Sequence, residues 1–222
     1  MRNIALLLLA FSLALIMPAM SQDASYWLSQ TASDYQNGSY SLALQDLDDY
    51  LSLNSTDPGA WISMARLQVK LRRYNEAIGS YDKALEIDGS NAEAWNDRGV
   101  VLSEALKQYD DALLSINRSL GINPLDAIAW YNKGMVLQNM GRFNDSLQPL
   151  DQAIELNSRF AKAWNLKGLA LLDVNNNEEA LTCFDKATGL EPTNKAFQDN
   201  KNVALKALRR NPELKMEFPK TG

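Results

Sequence analysis

The sequence predicts an all-α protein, a solenoid of tandem helix-turn-helix units, and three observations carry that reading. Five tryptophans stand at Trp27, Trp61, Trp95, Trp130 and Trp164, separated by 34, 34, 35 and 34 residues, which is the period of a two-helix unit. Small residues recur four positions after each of them, at Thr31, Ala65, Gly99, Gly134 and Gly168, and large ones about twenty after, at Leu47, Tyr81, Ile116, Leu150 and Phe184. Short polar, glycine- or proline-bearing breaks divide the chain on the same beat. A large side chain meeting a small one at a fixed separation lets two helices approach closely where the small one lies.

In chain order, residues 1–21 come first and stand apart. Arg2 precedes an apolar run from Ile4 to Met20, interrupted by Ser12 and Pro18, and the chain turns polar at Ser21. This is the composition of a secretory signal peptide, with Ala19 and Ser21 suiting cleavage before Gln22. The alternative is a retained N-terminal membrane anchor, since a run of this length sits at the lower edge of what spans a bilayer. Either way the remainder is expected to be exported: secreted or cell-envelope associated, and anchored by residues 4–20 if they are kept.

The repeat units are expected at 24–57, 58–91, 92–126, 127–160 and 161–193. Their first helices fall near 24–37, 58–71, 92–106, 127–140 and 161–174, and their second helices near 40–53, 74–87, 109–122, 143–156 and 177–190. In the second unit Trp61, Met64, Ala65 and Val69 share one helical face, and Ala77, Ile78, Tyr81, Ala84 and Leu85 make a stripe on the next. Asn37-Gly38, Arg72-Arg73, Lys107-Gln108, Gly141-Arg142 and Asn175-Asn176 break the chain between helices. Asp57-Pro58, Asp88-Gly89, Asn123-Pro124, Asn157-Ser158 and Glu191-Pro192 break it between units. The third unit carries one extra residue between Leu102 and Ala112 without a Gly or Asn turn signal, so a longer first helix or an altered turn is expected there. A capping helix at 194–210, apolar at Ala196, Phe197, Val203, Ala204, Leu205 and Leu208, would cover the last unit. Asn211-Pro212 ends it, leaving a loose tail at 211–222.

These units resemble the tetratricopeptide repeat family. The fifth carries the family pattern almost complete in Trp164, Gly168, Ala180, Phe184, Ala187 and Pro192, and the third matches through Trp95, Gly99, Ala112, Ile116, Ser119 and Pro124. The fourth has Ser146 and Ser158 where Ala and Pro are usual, the second has Ala65 and Gly89 for Gly and Pro, and the first is the most divergent. The resemblance covers roughly residues 24 to 192. It implies a right-handed superhelix whose concave groove, lined by first helices, binds a protein or peptide. On that geometry the groove draws on positions one, five and eight after each tryptophan. Its candidate residues are Ile62, Arg66, Val69, Asn96, Val100, Tyr131, Met135, Asn165 and Leu169, with Leu28, Ala32, Tyr35, Ser103, Gln138 and Leu172 completing the set. The asparagines are able to hydrogen-bond a peptide backbone in two senses, and Tyr131 adds amphipathic contact area. Arg66, Lys70 and Asn96 begin a carboxylate-binding cluster that Val100 and Leu169 do not extend. Self-association, or service as a passive structural spacer of the envelope, is the alternative use of such an array.

Composition excludes other classes. At 46% apolar and 22% charged residues the chain has the material for a packed core, and its 222 residues count repeats rather than ordinary domains. A net charge of -5 argues against nucleic acid, which needs clustered cations to displace counterions. Lys206, Arg209 and Arg210 read as the polar end of the last helix. Histidine is absent, which removes the commonest general base and zinc ligand. Cys183, between Leu181 and Phe184, reads as a packed small hydrophobe. Asp48-Asp49, Asp110-Asp111 and Glu178-Glu179 are adjacent on helices and do not face each other. The stretch Asp173 to Glu179 lacks the glycine of a calcium loop. With no phosphate loop, metal cluster or nucleophile elbow, no catalysis and no cofactor are expected. Four glycosylation sequons begin at Asn37, Asn54, Asn117 and Asn144, of which the first two fall in turns.

Overall fold

The computed structural model describes residues 24–210, so the segment read as a signal or anchor and the tail at 211–222 lie outside the described residues. The chain divides into two compact bodies, one ending at Gly89 and the other starting at Ser90. The N-terminal body contains α1 (Ala24–Gln36), α2 (Tyr40–Leu53), α3 (Pro58–Lys70) and α4 (Tyr74–Ile87). The C-terminal body contains α5 (Ala92–Glu104), α6 (Tyr109–Ile122), α7 (Ala127–Asn139), α8 (Phe143–Leu156), α9 (Ala161–Asp173), α10 (Asn177–Leu190) and α11 (Lys195–Arg210). Among the described residues there is no strand, and the fold is an all-α tandem helix-turn-helix solenoid. No described helix is long and apolar enough to cross a membrane.

The helices start and stop for local reasons. Asp57 caps α3, its Oδ1 accepting from the N–H groups of Gly59 (2.8 Å) and Ala60 (3.2 Å), and Pro58 occupies a first-turn position that has no partner to lose. Asp126 caps α7 in the same way, and Asn91 Oδ1 accepts from Ala94 at the start of α5. The turns inside the helix pairs each contain one left-handed residue: Gly38, Arg72, Lys107, Gly141 or Asn175. At Gly38 and Gly141 this conformation is free of steric cost, whereas Arg72 and Lys107 adopt it despite their Cβ.

The tryptophans are half-buried, and three of them pin the turns that precede their helices. Indole Nε1 donates to the carbonyl six residues back: Trp61 to Ser55 (2.9 Å), Trp130 to Pro124 (2.9 Å) and Trp164 to Ser158 (3.0 Å). Each ring thus packs its apolar body while satisfying its one donor. In the N-terminal body, Tyr50 adds a second tie, its hydroxyl donating to Asp57 Oδ2 (2.7 Å) and accepting from Asn54 Nδ2 (2.9 Å).

The large-to-small pairing read from the sequence is the contact between paired helices. A Cβ added to Gly99 would stand 2.6 Å from Ile116 Cγ1, one at Gly134 2.7 Å from Leu150 Cγ, and one at Gly168 2.7 Å from Phe184 Cε1. These partners are fully buried. The extra residue of the third pair does not lengthen its first helix, since α5 has 13 residues like α3, α7 and α9. The turn takes it up: Leu106 N–H reaches Val101 O (3.3 Å), Gln108 N–H reaches Leu102 O (2.9 Å), and Lys107 is left-handed between them. The close approach of Gly99 to Ile116 is thereby kept.

Candidate partner-binding surface

The first helices of the C-terminal body, α5, α7 and α9, place their predicted positions four residues apart on one helical face each. These are Asn96 with Val100, Tyr131 with Met135, and Asn165 with Leu169. Val100, Tyr131, Met135, Asn165 and Leu169 are half-buried. The Tyr131 ring lies tilted against Phe160, centroids 5.0 Å apart, and packs toward Ala153, Ile154 and Ala163. Burial, with a smaller contribution from the Glu104 carboxylate, raises the Tyr131 phenol above its ordinary value, so it is a neutral donor at physiological pH. Leu169 packs on the cluster of Leu171, Ala180, Cys183, Phe184 and Ala204.

Neighbouring first helices are joined by side-chain hydrogen bonds that span one repeat. Asn132 Nδ2 donates to Asn96 Oδ1 (2.9 Å, buried), Gln138 Nε2 to Leu166 O (2.9 Å), Asn139 Nδ2 to Ser103 Oγ (3.4 Å), and Asn200 Nδ2 to Asn165 Oδ1 (2.9 Å). This changes the reading of the asparagines. Asn96 is buried, and the carbonyls of both Asn96 and Asn165 accept from the next helix, so these groups are committed to aligning the array. Ser103 is likewise fully buried. The exposed part of the face is left to Val100, Tyr131, Met135 and Leu169. Asn132 and Asn139 on first helices, and Asn200 on α11, were not among the residues singled out by sequence.

In the N-terminal body Ile62 is buried, Val69 is half-buried and Arg66 is exposed but not free. Leu28 and Tyr35 of α1 are exposed, the latter at 5.5 Å from the Tyr40 ring.

The ionisable groups around the C-terminal face hold structure rather than chemistry. Lys167 spans two neighbouring second helices, its Nζ at 2.8 Å from Asp151 and 3.1 Å from Glu179. Burial opposes its charge, and the hydrogen bonds to Asp151 and Glu179 overcome that and raise its pKa. Lys133, at the same position in its pair, lies 5.3 Å over the Trp130 ring, and burial lowers its pKa. Burial pushes the Cys183 thiol up to about 11, with nearby Lys167 opposing, which leaves it unreactive. Asp110, Asp111, Glu178 and Glu179 occupy first turns, where negative charge suits the helix dipole. Among the described residues no group of three or more His, Cys, Asp or Glu is arranged to hold a metal ion. Of the sequons, Asn37 is exposed in its turn, Asn54 is bonded to Tyr50, and Asn117 and Asn144 lie in helices with Ser119 and Ser146 fully buried.

Sequence profiles of known families match four stretches. A profile described as "TPR repeat" matches residues 65–105, and two described as "Tetratricopeptide repeat" match 127–160 and 161–194. One described as "Anaphase-promoting complex, cyclosome, subunit 3" matches 4–84. No curated protein matches the chain. Among solved structures, YrrB, described as "a TPR protein with an unusual peptide-binding site", is 26% identical at a TM-score of 0.67, with 81% of this chain and 92% of that one covered. MamA from Desulfovibrio magneticus RS-1 is 23% identical at 0.72, covering 79% and 98%. A tetratricopeptide repeat protein from Parabacteroides merdae ATCC 43184 is 18% identical at 0.75, covering 86% and 75%. The last two likenesses are likenesses of fold.

Proposed function

Because the chain is a tandem tetratricopeptide-repeat α-solenoid protein, we propose that it is a non-catalytic scaffold that holds a protein or peptide on the first-helix face of its C-terminal body. The observation that carries this reading is the set of half-buried apolar side chains Val100, Tyr131, Met135 and Leu169, in register on α5, α7 and α9. Their neighbours on the same face are tied down by the asparagine and glutamine bonds between helices. A surface with fixed backbone spacing and a few open apolar positions accepts a segment presenting apolar side chains at matching intervals, and the Tyr131 hydroxyl adds one directional bond. The peptide-binding site described for YrrB supports the same class of partner.

The scaffold works outside the cytoplasm, secreted or attached to the envelope through residues 4–20, and does not use nucleic acid. This part rests on the signal-like sequence of residues 1–21 and on the net charge.

A photoreactive residue at Tyr131, compared with one at exposed Leu114 on α6, tests the binding site in cells expressing the full chain. A defined partner crosslinked from position 131 and absent from 114 is the expected result. Equal capture from both positions, or capture of nothing but a second copy of the chain, overturns the reading in favour of a spacer or a self-association module.

A further inference from the structure

Each helix pair sets two positions against each other across its interface: the seventh residue after the tryptophan, and a residue twelve or thirteen further on. In α3–α4 these are Gln68 and Ser80, both buried, with Ser80 Oγ donating to Gln68 Oε1 at 2.8 Å. In α9–α10 they are Leu171 and Cys183, members of one apolar cluster. The pairs α5–α6 and α7–α8 have Leu102 with Ser115 and Leu137 with Pro149, again neutral and buried. In α1–α2 the same two positions are Asp34 and Asp46.

No cation is among the groups that act on Asp46. Asp34 stands close enough to act on the Asp46 carboxyl, and the other charge acting on it is Asp49, also acidic. Asp34 is the sole charged residue of α1. The apolar side chains that α3 contributes to the cluster with α2 are Ala60, Met64 and Leu67, with Trp61 beside them. Arg66 and Lys70 of α3 are exposed and are not among the groups acting on Asp46. Asp46 Oδ2 is sealed from solvent and receives no hydrogen bond from a described residue. A carboxylate oxygen without water or donor is costly, and two neighbouring carboxylates do not both ionise readily. A proton on Asp46 relieves the repulsion, because it turns a carboxylate that can only accept into a group that donates.

We propose that Asp34 and Asp46 share one proton across the α1–α2 interface, and that this proton holds α1 in place, so that docking of the first helix responds to pH. The helix is suited to such control, since among its described side chains none is fully buried and Leu28 and Tyr35 stay exposed, leaving Trp27 as its apolar anchor on the core. The sign follows from linkage. Burial first, then the neighbouring Asp34, raises the Asp46 carboxyl above its ordinary value. Its stabilising contribution is therefore complete below the ordinary aspartate range and is lost as pH rises through the raised value. The first helix is docked in acid and loosens toward neutral and alkaline pH.

Hydrogen exchange along the full-length chain tests this, with rates corrected for intrinsic base catalysis and α6 as internal reference, from about pH 4 to about pH 8. Protection of α1 is expected to fall with rising pH while that of α6 stays level. The double variant Asp34→Gln/Asp46→Ser installs the neutral pair of α3–α4 and is expected to make α1 protection independent of pH. A level profile in the wild type overturns the proposal, and so does a slope that survives in the double variant. Should that variant fail to fold, a carboxyl-carbon titration of the wild type by NMR decides. A midpoint above the ordinary aspartate range supports the shared proton, and ordinary titration of both groups overturns it.

Discussion

At the scale of single residues, the helix pairs depend on having no side chain at three positions. Gly134 faces Leu150, which is fully buried and enclosed on its other sides, so an added methyl at 2.7 Å from Leu150 Cγ has nowhere to go without moving a helix. Gly134→Ala is expected to lower stability by about 1–3 kcal/mol, the usual cost of overpacking, in equilibrium denaturant unfolding. Gly121 gives the opposite sign. It lies within α6 with nothing within 4 Å of where a methyl group would stand, and there alanine relieves the entropic cost of glycine in a helix. Gly121→Ala is expected to raise stability by about 0.5–1 kcal/mol. If both substitutions destabilise alike, the glycine–leucine contact is not what sets the approach of α7 to α8.

At the scale of elements, Trp61, Trp130 and Trp164 each join a helix to the turn before it. Trp164 packs toward three apolar clusters while its indole N–H holds Ser158 O. Trp164→Phe keeps most of the ring and removes the donor, so a loss of about 1 kcal/mol for the hydrogen bond is expected, with some further loss for the smaller ring. Faster amide exchange should be concentrated at residues 157–160; a loss spread evenly over α9 would mean that packing, and not the bond, is what the tryptophan supplies. The helices were legible in the sequence, their ends falling within two residues of the positions read from spacing, because tryptophans, glycines and turn residues act through local geometry and the repeat beat. The extra residue near Lys107 was not assignable, since a longer α5 and a left-handed lysine satisfy the same composition. The candidate residues could be placed on the first helices from sequence, but the bonds made by their asparagines could not. Asn96 meets Asn132 thirty-six residues later, and nothing local to either reveals the bond. Asp34 and Asp46 could have been found by aligning the repeats on their tryptophans, for they are acids at positions where the other pairs are neutral.

At the scale of the whole molecule, a linear array gives each helix pair only its neighbours to lean on, and its last pair needs a cover. In the C-terminal body α11 packs on α9 and α10 through Phe197, which is 5% exposed and meets Ala161 and Ala187, and through Ala204, which joins the cluster around Phe184. Polar ties fix the register: Asn200 to Asn165, and Lys201 to Asp185 at 2.7 Å. The ion pair is substantially exposed and adds little by itself, so the hydrophobic seat of Phe197 carries most of the attachment. Phe197→Ala is accordingly expected to cost about 3–5 kcal/mol, the range for a buried phenylalanine. Its spatial pattern discriminates more than its size. In an array held by nearest neighbours, hydrogen-exchange protection should fall most in α9 and α10, which touch α11, and least in α5, the far end of the same body. Equal loss from α5 to α10 would mean that the C-terminal body unfolds as one cooperative globule, in which case α11 supports the candidate surface on α5, α7 and α9 as a whole and not only its last member.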